Sequence, residues 1–175
     1  MKKLLILTIL FLNLISCKKI EKLSEFSLEL ESELQIAADQ SINVPIHLAV
    51  NEIILDDEYF ENNDTSKDLL EEAKLKKVIL SLDAPQGSNF NFLTDIDFYI
   101  EANGLPKIRV AWKNDLTNDD KTQIFLRILS ENMVDYLKKD KIFISADIIN
   151  DEQIDRNLQI GVNLSFQISG KALEK

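Results

Sequence analysis

The stretch that decides the fold is Leu158-Gln159-Ile160-Gly161-Val162-Asn163-Leu164-Ser165-Phe166-Gln167-Ile168. Apolar side chains stand at every even position of this stretch, and polar or small residues stand at every odd position. Successive side chains of a β-strand point to opposite faces of a sheet, so a period of two predicts a strand with one buried face. A strand that keeps its other face in water is typical of antiparallel sheets.

The same period returns near the start of the chain and predicts a second long strand over residues 26–36, broken only at Ser32. Shorter strand signals occur at residues 44–50, 78–82, 124–129 and 142–148. About seven or eight strands without a βαβ rhythm predict a mainly β protein built as an antiparallel β-sandwich. A closed β-barrel is the alternative.

A hairpin is predicted around residues 102–104, between two strands with alternating apolar side chains. A two-residue turn would pair Phe98 with Arg109 and so mix the core with a charge. A three-residue loop over 102–104 pairs Phe98 with Ile108 and gives Gly104 the left-handed conformation that such loops need. Because the buried face fixes strand register, the sequence predicts the three-residue loop.

Helix is scarce. One short helix is predicted over residues 66–76, because Thr65 or Ser66 can cap its start, Asp68 lies in its first turn and lysines lie near its end. One further helical turn is predicted over residues 133–138.

The amino terminus has the features of a secretory signal. Two lysines precede an apolar run that is too short to cross a bilayer as a helix, and the small residue Ser16 stands before Cys17, the sole cysteine. The four residues Leu14-Ile15-Ser16-Cys17 resemble the lipobox of bacterial lipoproteins. The alternative is an ordinary signal peptide with a cysteine nearby by chance.

The lipobox resemblance implies cleavage between Ser16 and Cys17, and a diacylglycerol and further acyl chains, such as palmitate, on Cys17. A single acyl chain anchors a protein only marginally, whereas two or three make its release negligible. The predicted organisation is a signal peptide over 1–16, a lipidated tether over 17–23 and a single β-sandwich domain over 24–175. In the enteric version of the family an aspartate at the next position retains the protein at the inner membrane, so Lys18 points to the outer membrane.

The composition limits the partners. Without the signal the chain would have 18 basic and 30 acidic residues, a net charge of −12. Such a chain is repelled by nucleic acids, and no cluster of basic and aromatic residues offsets that repulsion, so nucleic-acid binding is not expected. With one cysteine no disulfide can form within the chain, and lipid on Cys17 would leave no thiol for catalysis or metal binding.

His47 is the only histidine, so a Ser-His-Asp triad or a zinc site would have to use it. It stands in an apolar strand segment, and the chain contains no Gly-x-Ser-x-Gly sequence. A structural or merely exposed His47 is therefore favoured.

Asp95 and Asp97 share one face of a predicted strand, about 7 Å apart, a separation that suits paired-carboxylate catalysis. Arg109 offers Asp97 a simpler role as an ion-pair partner. The acidic stretch Asp56-Asp57-Glu58 could supply oxygen ligands to calcium, but it lacks the ligand order of an EF-hand loop, so a solvated loop is favoured. The sequence predicts no catalytic residue, no metal site and no cofactor.

Two of the aromatic residues, Phe98 and Trp112, fall on strand faces that are predicted to be buried. Phe90 and Phe92 lie in a probable loop after Pro85, and they are the best aromatic candidates for an interaction loop. The competing interpretation is that this loop folds back and closes one end of the sandwich.

These observations favour a membrane-anchored, non-catalytic envelope lipoprotein that acts as a binding or scaffolding module. Its expected partners are the bacterial membrane, through lipid on Cys17, and another envelope protein. The alternative is a carrier for a lipid or small apolar ligand, with a cavity between the sheets. A hydrolase that uses carboxylates is the third hypothesis.

Overall fold

The computed structural model describes residues 22–116, 121–129 and 131–173. Within these ranges the chain forms two antiparallel sheets, and the predicted β-sandwich is confirmed. The described strands fall into two separate sheets rather than one closed one.

Sheet A has four strands, which in spatial order are β1 (Leu23–Ile36), β10 (Leu158–Lys171), β4 (Leu70–Ala84) and β7 (Gln123–Phe125). Sheet B has six strands. Five of them are, in spatial order, β2 (Ile46–His47), β9 (Lys141–Asn150), β5 (Leu93–Ala102), β6 (Leu105–Lys113) and β8 (Arg127–Ile128). The sixth, β3 (Asn51–Ile54), also pairs with β9. Two short helices, α1 (Glu58–Glu61) and α2 (Val134–Leu137), and a 3-10 turn over Lys67–Leu69 complete the described elements.

The two long strands predicted from the alternating pattern lie side by side. β1 and β10 pair along their whole length, with Leu28 opposite Phe166 and Leu34 opposite Ile160. The even-numbered side chains of this pair point between the sheets and are mostly buried, and the odd-numbered ones face outward. This is the arrangement that a period of two predicts.

The space between the sheets is filled with apolar side chains. Phe98 of β5 is fully buried and stands between Ala111 of β6 and Ala146 of β9. On the facing sheet, Phe166 is also fully buried. Large side chains beside small ones allow the two layers to interdigitate at the density of a protein interior.

The helix predicted over residues 66–76 is wrong, because only its first turn is helical and the rest belongs to β4. Register shifts in the β4–β10 pairing leave buried residues three apart, at Leu70 and Ala73 and again at Leu75 and Val78. Two bulges thus imitate the i, i+3 spacing of a helix within a strand. The predicted turn at 133–138 is confirmed as α2.

The three-residue hairpin loop is also wrong. Ala102 pairs with Leu105, so Asn103 and Gly104 alone form the turn, with Gly104 at a φ of +77° as predicted. Two irregularities within the hairpin remove the conflict of register. One lies between Ile100 and Ala102, and the other, between Phe98 and Tyr99, leaves Val110 as an extra residue of β6. The shift between Ile100 and Ala102 places Arg109 opposite Tyr99 rather than opposite Phe98.

Two of the shorter predicted strands differ from the prediction, one because it is shortened and one because it is divided. The segment 44–50 contributes only β2, and a separate strand, β3, follows it. The segment 124–129 crosses between the layers, because β7 pairs with β4 of sheet A and β8 pairs with β6 of sheet B. Leu126 is the buried residue between them.

Candidate functional site

The outer face of sheet A contains an open concavity of about 780 Å³, which we call the sheet A groove. It extends across all four strands of the sheet. Strand register arranges its lining in three rows from β1 towards β7, which are Glu29–Ser165–Lys77, Glu31–Asn163–Ile79–Phe125 and Glu33–Gly161–Ser81–Gln123. Of these residues, Ser165 and Phe125 lie at the border of the groove rather than in its lining.

One wall of the groove is acidic. Glu29, Glu31 and Glu33 point outward from β1, and their Cα atoms recur about every 6.8 Å because a strand rises about 3.4 Å per residue. The Ser165 hydroxyl donates a hydrogen bond to Glu29. In the described part of the chain no donor is bonded to the side-chain carboxylate of Glu31 or Glu33, and both side chains face solvent.

The floor of the groove depends on a glycine. A Cβ atom at position 161 would clash with Asp83 Oδ2 and would lie 2.7 Å from Ser81 Oγ. The hydroxyl of Ser81 donates to Asp83 Oδ1 over 2.9 Å and holds that carboxylate over the floor. Gly161 therefore makes room for a fourth carboxylate in the groove.

The opposite wall of the groove is mixed. Ile79 of β4 pairs with Phe125 of β7, and the Phe125 side chain is 55% exposed. We call these two side chains the apolar shelf. Lys77 is the one basic residue among those lining the groove.

The outer face of sheet B has a different character, because several of its charged groups bind one another. His47 Nδ1 and Asp147 Oδ1 lie 2.7 Å apart, and Arg109 donates to Asp97 over 2.9 Å. The predicted ion pair of Asp97 and Arg109 is thereby confirmed. Burial raises the pKa of the Tyr99 phenol, and the nearby carboxylates of Asp147 and Asp97 raise it further, so Tyr99 stays a neutral donor to Asp147.

Aromatic rings on this face are covered by cations. Lys107 lies 4.2 Å from the centre of the Tyr99 ring, and Arg127 lies 5.1 Å from that of Trp112. Trp112 pairs with Asp97 on the outer face, so its predicted place in the core is wrong. The extra residue Val110 causes this, because it shifts every following side chain of β6 to the other face.

The candidate residues from the sequence lie in several separate places. Cys17 and Ser16 are outside the described residues. Phe90 and Phe92 are 3% and 7% exposed, so their loop folds back and closes one end of the sandwich. His47 lies on a two-residue strand, with a side chain that is 78% exposed.

The acidic stretch at 56–58 lies at the start of α1. Asp57 forms an ion pair with Lys67 at 2.7 Å, and Asp56 accepts a hydrogen bond from the backbone of Glu58. Within the described ranges, no three His, Cys, Asp or Glu side chains are arranged to hold a metal ion.

The groove itself was missed by sequence reasoning. Alternating glutamates in 29–33 are visible in the sequence, but they are equally typical of any solvated strand face. Their meeting with Gly161, Asp83 and the apolar shelf depends on which strands are neighbours, and no local pattern carries that information.

No protein-family model matches the sequence, and no curated protein is significantly similar to it. Across the ranges that the structure covers, no helix has the length and apolar character needed to span a lipid bilayer. The fold and the groove therefore define the protein by architecture, as an antiparallel β-sandwich with a concave polar face.

Proposed function

We propose that this protein is a lipid-anchored, non-catalytic module of the bacterial cell envelope that binds another envelope component in the sheet A groove. The anchor rests on the signal-like residues 1–16 and on Cys17. The binding role rests on one observation, an open groove in which the charged side chains of Glu31, Glu33 and Lys77 have no hydrogen-bond or ion-pair partner in the described part of the chain.

The chain path supports this assignment. Five residue steps separate Cys17 from Lys22, and an extended chain advances at most about 3.6 Å per residue, so the tether can span about 18 Å. Lipid on Cys17 would hold the start of β1 close to the membrane. The groove begins at Glu29, several residues further along the 14-residue strand, where a partner can reach it.

The packing favours binding on the surface over carriage of a ligand between the sheets. Inward side chains such as Phe98, Phe166 and Leu80 are fully buried against one another in the interior. For the hydrolase hypothesis, the carboxylate of Asp97 is engaged by Arg109, which favours a structural role for it.

The anchor is tested by Cys17→Ala in an enteric host. We expect the variant to take up no radiolabelled palmitate, because it has no sulfur to receive the diacylglycerol. Lys18→Asp is the matched control, since it keeps Cys17 and should keep the label. Continued labelling of Cys17→Ala would end the lipoprotein hypothesis.

The binding role is tested with a photo-crosslinking residue at Asn163, on the floor of the groove. Irradiation of intact envelopes should join the protein to one defined component. The same residue placed at Glu101, on the exposed outer face of sheet B, should give no such product. Equal products from both positions, or none from Asn163, would contradict the proposal.

A further inference from the structure

We propose that the sheet A groove binds an extended polypeptide segment with lysine or arginine at every second position and apolar side chains between them. This inference rests on the proposed binding function and adds the chemical class of the partner. It follows from the charge of the groove, from its dimensions and from the apolar shelf.

The charge of the groove calls for a cation. Glu29, Glu31, Glu33 and Asp83 supply four carboxylates, and Lys77 supplies one ammonium group. Neighbouring strands lie about 4.8 Å apart, so Lys77 on β4 stands about 10 Å from the β1 wall, with β10 between them. The Lys77 ammonium group forms no ion pair in the described part of the chain, so one positive charge stands against four negative ones and the groove keeps a net negative charge.

The dimensions fit an extended chain. Side chains on one side of an extended peptide recur about every 6.8 Å, which equals the spacing of Glu29, Glu31 and Glu33 along β1. A peptide lying along β10 would therefore meet one carboxylate with each alternate residue. Its intervening side chains would point the other way, towards Ile79 and Phe125.

Addition of the peptide to the edge of sheet A is less well supported, because the edge of β1 is covered. Asn51 Nδ2 donates to the Glu33 carbonyl over 2.8 Å, and Ser24 donates to the carbonyl of Asn63. Between these points the Phe60 ring packs against Phe26, with 6.4 Å between the ring centres. The segment from β3 to α1 therefore protects this edge, as loops commonly do.

A second copy of the chain does not fit the same face. In any orientation, pairing two grooves would bring the four carboxylates of each copy together with only one ammonium group from each, and such an excess of like charge destabilises a contact. The observations therefore favour a partner of another sequence, one with positive charge.

The test uses the full acylated chain in a nonionic detergent and a fluorescent peptide, Lys-Val-Lys-Val-Lys-Val-Lys. The control peptide has the same residues in blocks, with the four lysines together, so that composition and net charge are matched. We expect the alternating peptide to bind about tenfold more tightly, since three surface ion pairs in register supply an effect of that order. Equal affinities for the two peptides would overturn the inference.

Variants of the protein locate the binding. The triple variant Glu29→Gln, Glu31→Gln, Glu33→Gln should lose about tenfold in affinity. Glu25→Gln is the matched control, because it removes a glutamate from the same face of β1 outside the groove lining, and its affinity should be unchanged. If Glu25→Gln lost about one third as much binding free energy as the triple variant, which removes three times the charge, binding would follow net charge alone and the inference would be contradicted.

The two proposals can fail separately. If neither peptide binds while the crosslinker at Asn163 still captures one envelope component, the partner class is wrong and the proposed function stands. If the peptide binds as expected while Cys17→Ala retains its lipid label, the anchor is wrong and the partner class stands.

Discussion

Replacing Phe98 with alanine is expected to lower the free energy of unfolding by about 3–5 kcal/mol. The Phe98 ring is fully buried in the central strand of sheet B. Its neighbours across the strands, Ala111 and Ala146, are too small to fill the space that the ring would leave. The variant would therefore lose the transfer free energy of the ring and keep a cavity. Urea denaturation followed by circular dichroism measures the change.

The matched control is Phe125→Ala, in which the same substitution is made at a ring that is 55% exposed. Because little apolar surface leaves the core, we expect a change within about 0.5 kcal/mol. A loss below about 1.5 kcal/mol for Phe98→Ala would mean that its surroundings collapse onto the site and that the interior is less tightly packed than the structure indicates.

The second large effect is expected from Gly170→Ala, which should destabilise the fold by about 1–3 kcal/mol. A Cβ atom at position 170 would lie 2.7 Å from the Leu69 carbonyl oxygen and 3.2 Å from Leu70 Cα. These are backbone atoms where β4 begins, next to the buried Thr65, whose hydroxyl donates to the Lys171 carbonyl over 2.7 Å. The clash can be relieved only by separating β10 from β4.

Gly161→Ala is the informative comparison, because its contacts are the ends of two side chains, Asp83 and Ser81. Both can turn towards solvent, so we expect unfolding to change within about 0.5 kcal/mol. Binding of the alternating peptide should nevertheless weaken, since the Asp83 carboxylate would leave the floor of the groove. Denaturation and peptide titration of both variants check this. Equal destabilisation by the two substitutions would show that the contacts at Gly161 are as rigid as those at Gly170.

The sequence predicted much of the sandwich where one strand face is buried and the other is solvated. In β1 and β10 the period of two identifies both the strand and its inward side chains, because burial acts on each residue directly. α2 was also found, since a single turn is a local structure.

The errors in the helix at 66–76, in the hairpin and in the place of Trp112 share a physical cause, which is the β-bulge. At Leu70–Val78 two bulges space the buried residues as a helix would, and in the hairpin the extra residue Val110 moves Trp112 to the outer face. A bulge is chosen by the pairing of two strands, so the pattern within one strand does not reveal it. The buried position of Phe90 and Phe92 likewise depends on what lies beneath their loop.

The chain by itself determined its two longest strands, its acidic character and the signal-like segment that ends at Cys17, because each of these resides in consecutive residues. Only the tertiary structure decided that Glu31, Asn163 and Ile79 stand in one row and that Gly161 admits Asp83 to the groove. Residues more than a hundred positions apart meet there through strand order and register. These are set by the burial of the whole core rather than by any local run of sequence.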